Sequence, residues 1–145
     1  MIPAFDRRGN LPPGVHRATW RELHSRFGGN TQRQALLRGL RQALTSLRAA
    51  GCRLAYIDGS FVTNKEAPDD FDGCWEVSGV DPGKLDKVLL DFANKRAAQK
   101  AKFGGEFFIA DSEADPAGTR FIEFFQQDRN GNLKGIIAID LKDFK

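Results

Sequence analysis

Leucines 36, 37, 40, 44 and 47 recur every three or four positions in TQRQALLRGLRQALTSLRAAG, the spacing that places side chains on one face of an α-helix. A helix near 31–50 is predicted, begun by Asn30 or Thr31 and ended at Gly51, a residue suited to a helix C-terminus. Thr19 and Glu22 form a capping-box pair ahead of a shorter helix. Its face carries Trp20, Leu23 and Phe27, and Gly28-Gly29 stop it. A third helix is predicted near 83–102: Pro82 suits its first turn, Leu85, Val88, Leu89 and Phe92 share a face, and Lys95, Arg96, Lys100 and Lys102 favour its C-terminal half.

Four segments read as strands. CRLAYID (52–58) and FDGCWEV (71–77) are short, carry apolar residues on both faces and fit strands buried within a sheet. Their connection is too short for a crossover helix, so the two are expected to pair antiparallel or within a mixed sheet. GEFFIAD (105–111) and LKGIIAIDL (133–141) complete the set. TRFIEFFQQDRNG fits both periods. Phe121, Phe124 and Phe125 share a helical face while Phe121, Glu123 and Phe125 alternate, and Pro116 as a possible start favours helix. The glycine- and proline-rich stretch DRRGNLPPGVH reads as an extended or turning arm that packs through Ile2, Phe5 and Leu11. The expected fold is therefore α+β (α/β): one domain over 1–145, with an arm and short helix over 1–30, and a core over 31–145 built on a mixed sheet of about four strands.

Composition narrows the class. With 41% hydrophobic and 28% charged residues, the chain is neither disordered nor membrane-like. No run approaches the ~20 apolar residues of a membrane span, and MIPAFDRRGN lacks the apolar core of a signal peptide, so a cytoplasmic location is expected. Cys52 and Cys74 match no zinc or redox spacing and read as reduced core residues. His16 and His24 lack partners at metal spacing, and Trp20 and Trp75 read as core, with a base pocket as the alternative for Trp75. Charge is uneven. Residues 1–53 hold ten Lys/Arg against Asp6 and Glu22, and Arg33, Arg41 and Arg48 form a ridge beside the leucine stripe. Such a ridge is either solvated or turned toward RNA, a nucleoside triphosphate or an acidic partner protein.

The stretch YIDGSFVTNKEAPDDFDGCWEV carries the chemistry. A strand ending in Gly-Ser, a tight helical turn and a second strand opening Asp-x-Asp would bring a serine and two carboxylates to one end of adjacent strands. Gly59 would let a phosphate approach the backbone, and Ser60 would donate to it. Asp70 and Asp72, two apart, would share Mg2+ or Mn2+ that bridges a triphosphate and steadies charge on the transferred phosphorus.

Gly-Ser followed about ten residues later by Asp-x-Asp resembles the nucleotidyltransferase superfamily, the polymerase-beta-like fold. With FDRRGNLPPGVHRATWRELHSRFG and FFQQDRNGNLKGIIAIDL on its flanks, nearly the whole chain resembles a family of small bacterial and phage nucleotidyltransferase-like proteins known mainly as a domain of unknown function. The resemblance implies a Mg-dependent transferase that moves a nucleoside monophosphate from NTP to an RNA or protein hydroxyl, with toxin–antitoxin modules among its settings and a neighbouring-gene protein as a partner. It implies phosphate binding by Gly59 and Ser60, metal binding by Asp70 and Asp72 with Asp69 beside them, and triphosphate contacts from Lys65 and Thr63. It also implies a third, catalytic carboxylate on a later strand. Glu106 is the choice, ahead of Asp111 and Glu123, although Asp is usual there. The alternative is a degenerate member that binds nucleotide, RNA or a partner protein without chemistry.

Overall fold

The computed structural model describes residues 1–144. Its sheet has five strands, β1 (Gly14–Ala18), β2 (Leu54–Asp58), β3 (Phe71–Trp75), β4 (Gly105–Ile109) and β5 (Gly135–Asp140), in the spatial order β1-β5-β2-β3-β4. β1 runs parallel to β5 and β3 parallel to β4, while β2 is antiparallel to both β5 and β3. The mixed sheet and the antiparallel β2–β3 pair agree with the sequence pattern.

The count of about four strands is corrected to five. The glycine- and proline-rich arm ends at Gly14, and GVHRA beyond it forms an edge strand whose side chains are largely half-exposed or exposed. An edge strand covered on little more than one side needs few apolar residues, so the hydrophobic pattern does not announce it.

Helices α1 (Trp20–Phe27) and α2 (Thr31–Ala49) form where expected. Thr19 and Glu22 complete the capping box, and the Asn30 side chain accepts from the Arg33 amide. Leu36, Leu37, Leu40, Leu44 and Leu47 are all buried in the larger core with Phe61, Phe71, Trp75 and Phe107. Trp75 thus belongs to this core and not to a base pocket. Gly39 lies where α2 meets the end of the next helix, and a Cβ there would collide with the Phe103 carbonyl.

The single helix expected near 83–102 is replaced by two 3-10 turns, Pro82–Lys84 and Lys87–Leu90, and then α3 (Ala93–Phe103). Aspartates cause the interruption. Asp81, Asp86 and Asp91 each accept the backbone N–H two residues on, from Gly83, Val88 and Ala93, a local bond that competes with helix propagation. Asn94, Lys95 and Arg96 then occupy the left-handed region with φ of 53°, 56° and 61°. Near the other end, the fully buried Gln99 accepts from the Phe107 amide of β4 and donates to the Asp91 carbonyl. The ambiguous aromatic segment is helical only for one turn, α4 (Phe121–Phe124).

The two faces of the sheet differ. The larger core fills the face that bears α2. The opposite face holds a smaller cluster, Tyr56, Cys74, Ala110, Ile136 and Ala138, covered by Phe108, Phe121, Ile122 and Phe125. Among the described residues no helix is long and apolar enough to cross a membrane.

Candidate active site

Three carboxylates stand side by side on the second face. The ladder pairs Asp58, the last residue of β2, with Asp72 of β3, and Asp72 with Glu106 of β4. Residues directly opposite on neighbouring strands project to the same side. Asp70, two residues before Asp72, extends the group. Asp70, Asp72 and Glu106 are the residues singled out by sequence, and the topology brings them together. Asp111 and Glu123 are exposed and outside this row.

Crowding of like charge dominates the electrostatics. Burial pushes the Asp72 carboxyl up to about 7, helped by the charges of Asp70 and Glu106 and by a hydrogen bond with Glu106, while Lys134 opposes the rise. Asp70 is raised by burial and then by Glu106 and Asp69, against Lys100 and Lys65. Glu106 is held by Arg96 (Nε to Oε2, 3.0 Å) and by Lys100 (Nζ to Oε2, 3.4 Å). Asp58 is fully buried, and neither of its oxygens has a hydrogen-bond partner. Burial, then the charge of Asp72, lifts its carboxyl far above the ordinary value. An orphaned carboxylate in an apolar site costs several kcal/mol if ionised, about 2–7 even for a neutral polar group, so Asp58 marks a position built for something other than stability.

A cavity of about 880 Å³ opens at Asp70 and Asp72, within the ~300–1,000 Å³ usual for small-molecule and cofactor sites. Gly59, Ser60, Thr63 and Lys65 form one wall, and Asp69, Asp70 and Asp72 its acidic floor. Every one of these came from the sequence. Phe124, Phe125, Arg129 and Lys134 form the facing wall and were not anticipated. Asp128 accepts from the amides of Asn130 and Asn132, a side-chain-stabilised turn that presents Arg129.

Local structure explains the placement. Gly59 has φ +77°, and a Cβ there would strike the Asp72 carboxylate, so glycine makes room for Asp72 as well as for any ligand. The Thr63 hydroxyl donates to the Ser60 carbonyl (2.6 Å) and accepts from the Lys65 amide (3.2 Å), bracing the turn. The loop is anchored from behind by Arg33, which corrects the expected arginine ridge. Arg33 is buried, and its guanidinium donates to the carbonyls of Phe27 (3.3 Å), Phe61 (2.7 Å), Thr63 (2.8 Å) and Lys65 (2.6 Å). Arg41 lies over the rings of Trp20 and Phe144 at 5.8 and 5.7 Å. Arg48 is exposed, so the three arginines do not form one continuous binding surface.

Among the described residues no group of three or more His, Cys, Asp or Glu is already arranged as a metal site. The donor chemistry nevertheless suits a hard cation. All the candidate ligands are carboxylate oxygens, the preference of Mg2+ and Mn2+, and the buried, unpartnered Asp58 adds a further one beside Asp72. Sequence reasoning passed over Asp58 and Lys134. A carboxylate closing the apolar run Leu54–Ile57 was the available signal for the first, whereas Lys134 has no local signal because its role depends on β5 lying beside β2.

No curated protein and no solved structure matches the chain. A family pattern does match it, over residues 3–140, and on that extent the chain belongs to the family of unknown function DUF6932.

Proposed function

We propose that the protein is a metal-dependent nucleotidyltransferase that moves a nucleoside monophosphate from an NTP to a hydroxyl of RNA or protein. The observation that carries this reading is the carboxylate row Asp58–Asp72–Glu106, whose middle member Asp72 reaches, with Asp69 and Asp70, a cavity also lined by Lys65, Arg129, Lys134, Phe124 and Phe125. Such a cavity matches a ligand with an anionic chain at one end and a flat base at the other. Lys65, Arg129 and Lys134 bind and orient the triphosphate, with Ser60 donating to a phosphate oxygen. Phe124, 47% exposed, offers a ring face to the base. Asp70 and Asp72 would hold Mg2+ or Mn2+ in the presence of substrate. When bound, the metal neutralises triphosphate charge and relieves the repulsion among the carboxylates.

In the transfer, the acceptor oxygen forms a bond to the α-phosphorus as the bond from that phosphorus to the bridging β-phosphate oxygen breaks. Pyrophosphate leaves, and the hydroxyl proton passes to a carboxylate. Glu106, opposite Asp72 on β4, is the carboxylate left to receive it once Asp70 and Asp72 hold the metal.

One observation favours a second reading, a degenerate member that binds nucleotide without turnover. Arg96 and Lys100 both engage Glu106, occupying the third carboxylate. Incubating the pure protein with each labelled NTP, magnesium and either total RNA or lysate separates the two. Label on RNA or protein supports the transferase, whereas metal-dependent NTP binding without transfer supports the degenerate form. Absence of any metal-dependent NTP binding at millimolar concentrations refutes both. A role in a toxin–antitoxin module would then be tested by co-purification with the neighbouring-gene product.

A further inference from the structure

A second cavity, about 260 Å³, is lined by Phe92, Arg96, Phe108, Ile109, Ser112 and Phe121, and shares Arg96 with the Glu106 ion pair. We infer that it is the acceptor subsite, and that it stacks the terminal nucleobase of a single-stranded RNA. The inference rests on the transferase reading for its chemistry, but its geometry stands apart from the triphosphate cavity.

Three observations define the occupant. The walls are flat and parallel: Phe92 and Phe108 are 12° from coplanar with centroids 6.2 Å apart, and Phe108 and Phe121 are 11° from coplanar at 4.1 Å. A stack of near-parallel, offset rings extends itself most readily with another flat ring, and Phe92, 39% exposed, presents the open end. The volume falls just short of the ~300–1,000 Å³ that a whole drug-sized ligand needs, and suits one ring system.

Charge is the second observation. The Arg96 guanidinium lies 5.2 Å from the Phe108 centroid while it also holds Glu106, and Lys95 next to it is exposed. An apolar slot with a cationic rim complements a base on a phosphate backbone, whereas a lipid tail or an apolar peptide side chain would gain nothing from that rim. The Ser112 hydroxyl adds one group able to hydrogen-bond a base edge.

Position is the third. Phe108 is two residues beyond Glu106 on the same face of β4, about 7 Å along the strand, and Arg96 belongs to both the slot and the Glu106 pair. A base stacked here sets its own sugar beside the carboxylate row. The aromatic surface also continues without a break through Phe121 to Phe124 and Phe125 of the first cavity. Two bases, one from the NTP and one from the acceptor, would thus lie on a single ridge with the carboxylates between them.

The test is fluorescence anisotropy with a labelled oligoadenylate 8-mer and the same oligomer lacking its 3′-terminal base, without NTP or metal. Stacking is worth about 1–3 kcal/mol per base, so Phe92→Ala is expected to weaken binding of the intact oligomer about 5- to 150-fold. Phe92→Tyr should retain wild-type affinity, and the abasic oligomer should bind wild type as weakly as the intact one binds Phe92→Ala. The slope of affinity against salt should stay the same in Phe92→Ala, because no phosphate contact is lost, and should fall by about one in Lys95→Glu. Equal binding of intact and abasic oligomers, equal binding by Phe92→Ala and wild type, or no oligonucleotide binding at low salt overturns the subsite; the last would point to a protein acceptor. Discrimination between the oligomers without any label transfer keeps the subsite and removes the transferase reading. Label transfer to RNA unaffected by Phe92→Ala does the reverse.

Discussion

Removing the Arg33 side chain should unhinge the loop that forms one wall of the active-site cavity. Its guanidinium donates to the Phe27 and Phe61 carbonyls in the interior, and to the Thr63 and Lys65 carbonyls nearer the surface. A buried carbonyl stripped of its partner costs about 1–3 kcal/mol, and the outer two cost less because water can reach them. The side chain also lies over Phe61 at 5.3 Å and Phe27 at 5.8 Å, packing that is lost with it. Arg33→Ala is therefore expected to lose about 3–5 kcal/mol, a large share of the ~5–15 kcal/mol typical of a domain. For 145 residues that corresponds to a fall in Tm of about 10–15 °C. Arg33→Lys should recover less than half, since a single ammonium cannot reach four carbonyls spread around a planar fork. Thermal and urea melts measure the loss, and limited proteolysis near Lys65 reports the loop. A fall in Tm below about 3 °C for Arg33→Ala, with unchanged cleavage at Lys65, would refute this account of the loop.

Other consequences are as direct. Because the folded-state carboxyls of Asp58 and Asp72 are raised, the native chain holds protons that the unfolded chain has released. The metal-free protein should therefore be most stable near pH 4 and lose stability as the pH rises toward about 7, by up to about 1.4 kcal/mol per unit per proton. Asp72→Asn should flatten that slope and match or exceed wild-type Tm at pH 8 without metal, while losing any metal-dependent gain with NTP; a steeper slope in the variant would sink the assignment. Asp58→Asn should likewise stabilise the metal-free protein by about 1–3 kcal/mol at pH 8, judged by urea melts, because a neutral amide replaces an unpaired buried carboxylate. Gly59→Ala combines a left-handed φ with displacement of the Asp72 carboxylate, so it should cost about 1–2 kcal/mol and weaken NTP binding at least tenfold by calorimetry; unchanged affinity would show that Asp72 tolerates the shift.

The parts of this structure visible in sequence are those fixed by local periodicity or by a motif within one short span. The leucine stripe of α2, the capping box of α1 and the antiparallel pair that joins Gly59-Ser60 to Asp70 and Asp72 need only neighbours along the chain. Glu106 was reachable because β4 follows directly from a glycine stop. Arg33 was misread because helical spacing shows only that it lies off the leucine stripe, not that the loop after β2 folds back over it. β1 was hidden by the weak demands of an edge, and the broken helix after Pro82 by three aspartates that bond their own backbone. Lys134, Phe124 and Phe125 join the site through the connection from β4 to β5, two strands of the same direction separated by β3 and β2, a fact that no local pattern records.

Gln99 has a consequence for the edge of the sheet. β4 is the last strand of the sheet, and its outer backbone groups would invite a sixth strand from another molecule. By accepting the Phe107 amide, the Gln99 carboxamide occupies that docking point as a short piece of mock backbone, fastened at its other end to Asp91. Edge protection here comes from α3, which lies against β4 and is pinned there by one side chain, not from a covering strand or a row of lysines. Gln99→Leu would fill the same space yet leave the buried Phe107 amide without a partner, a loss of about 1–3 kcal/mol that would loosen α3 from the strand it covers.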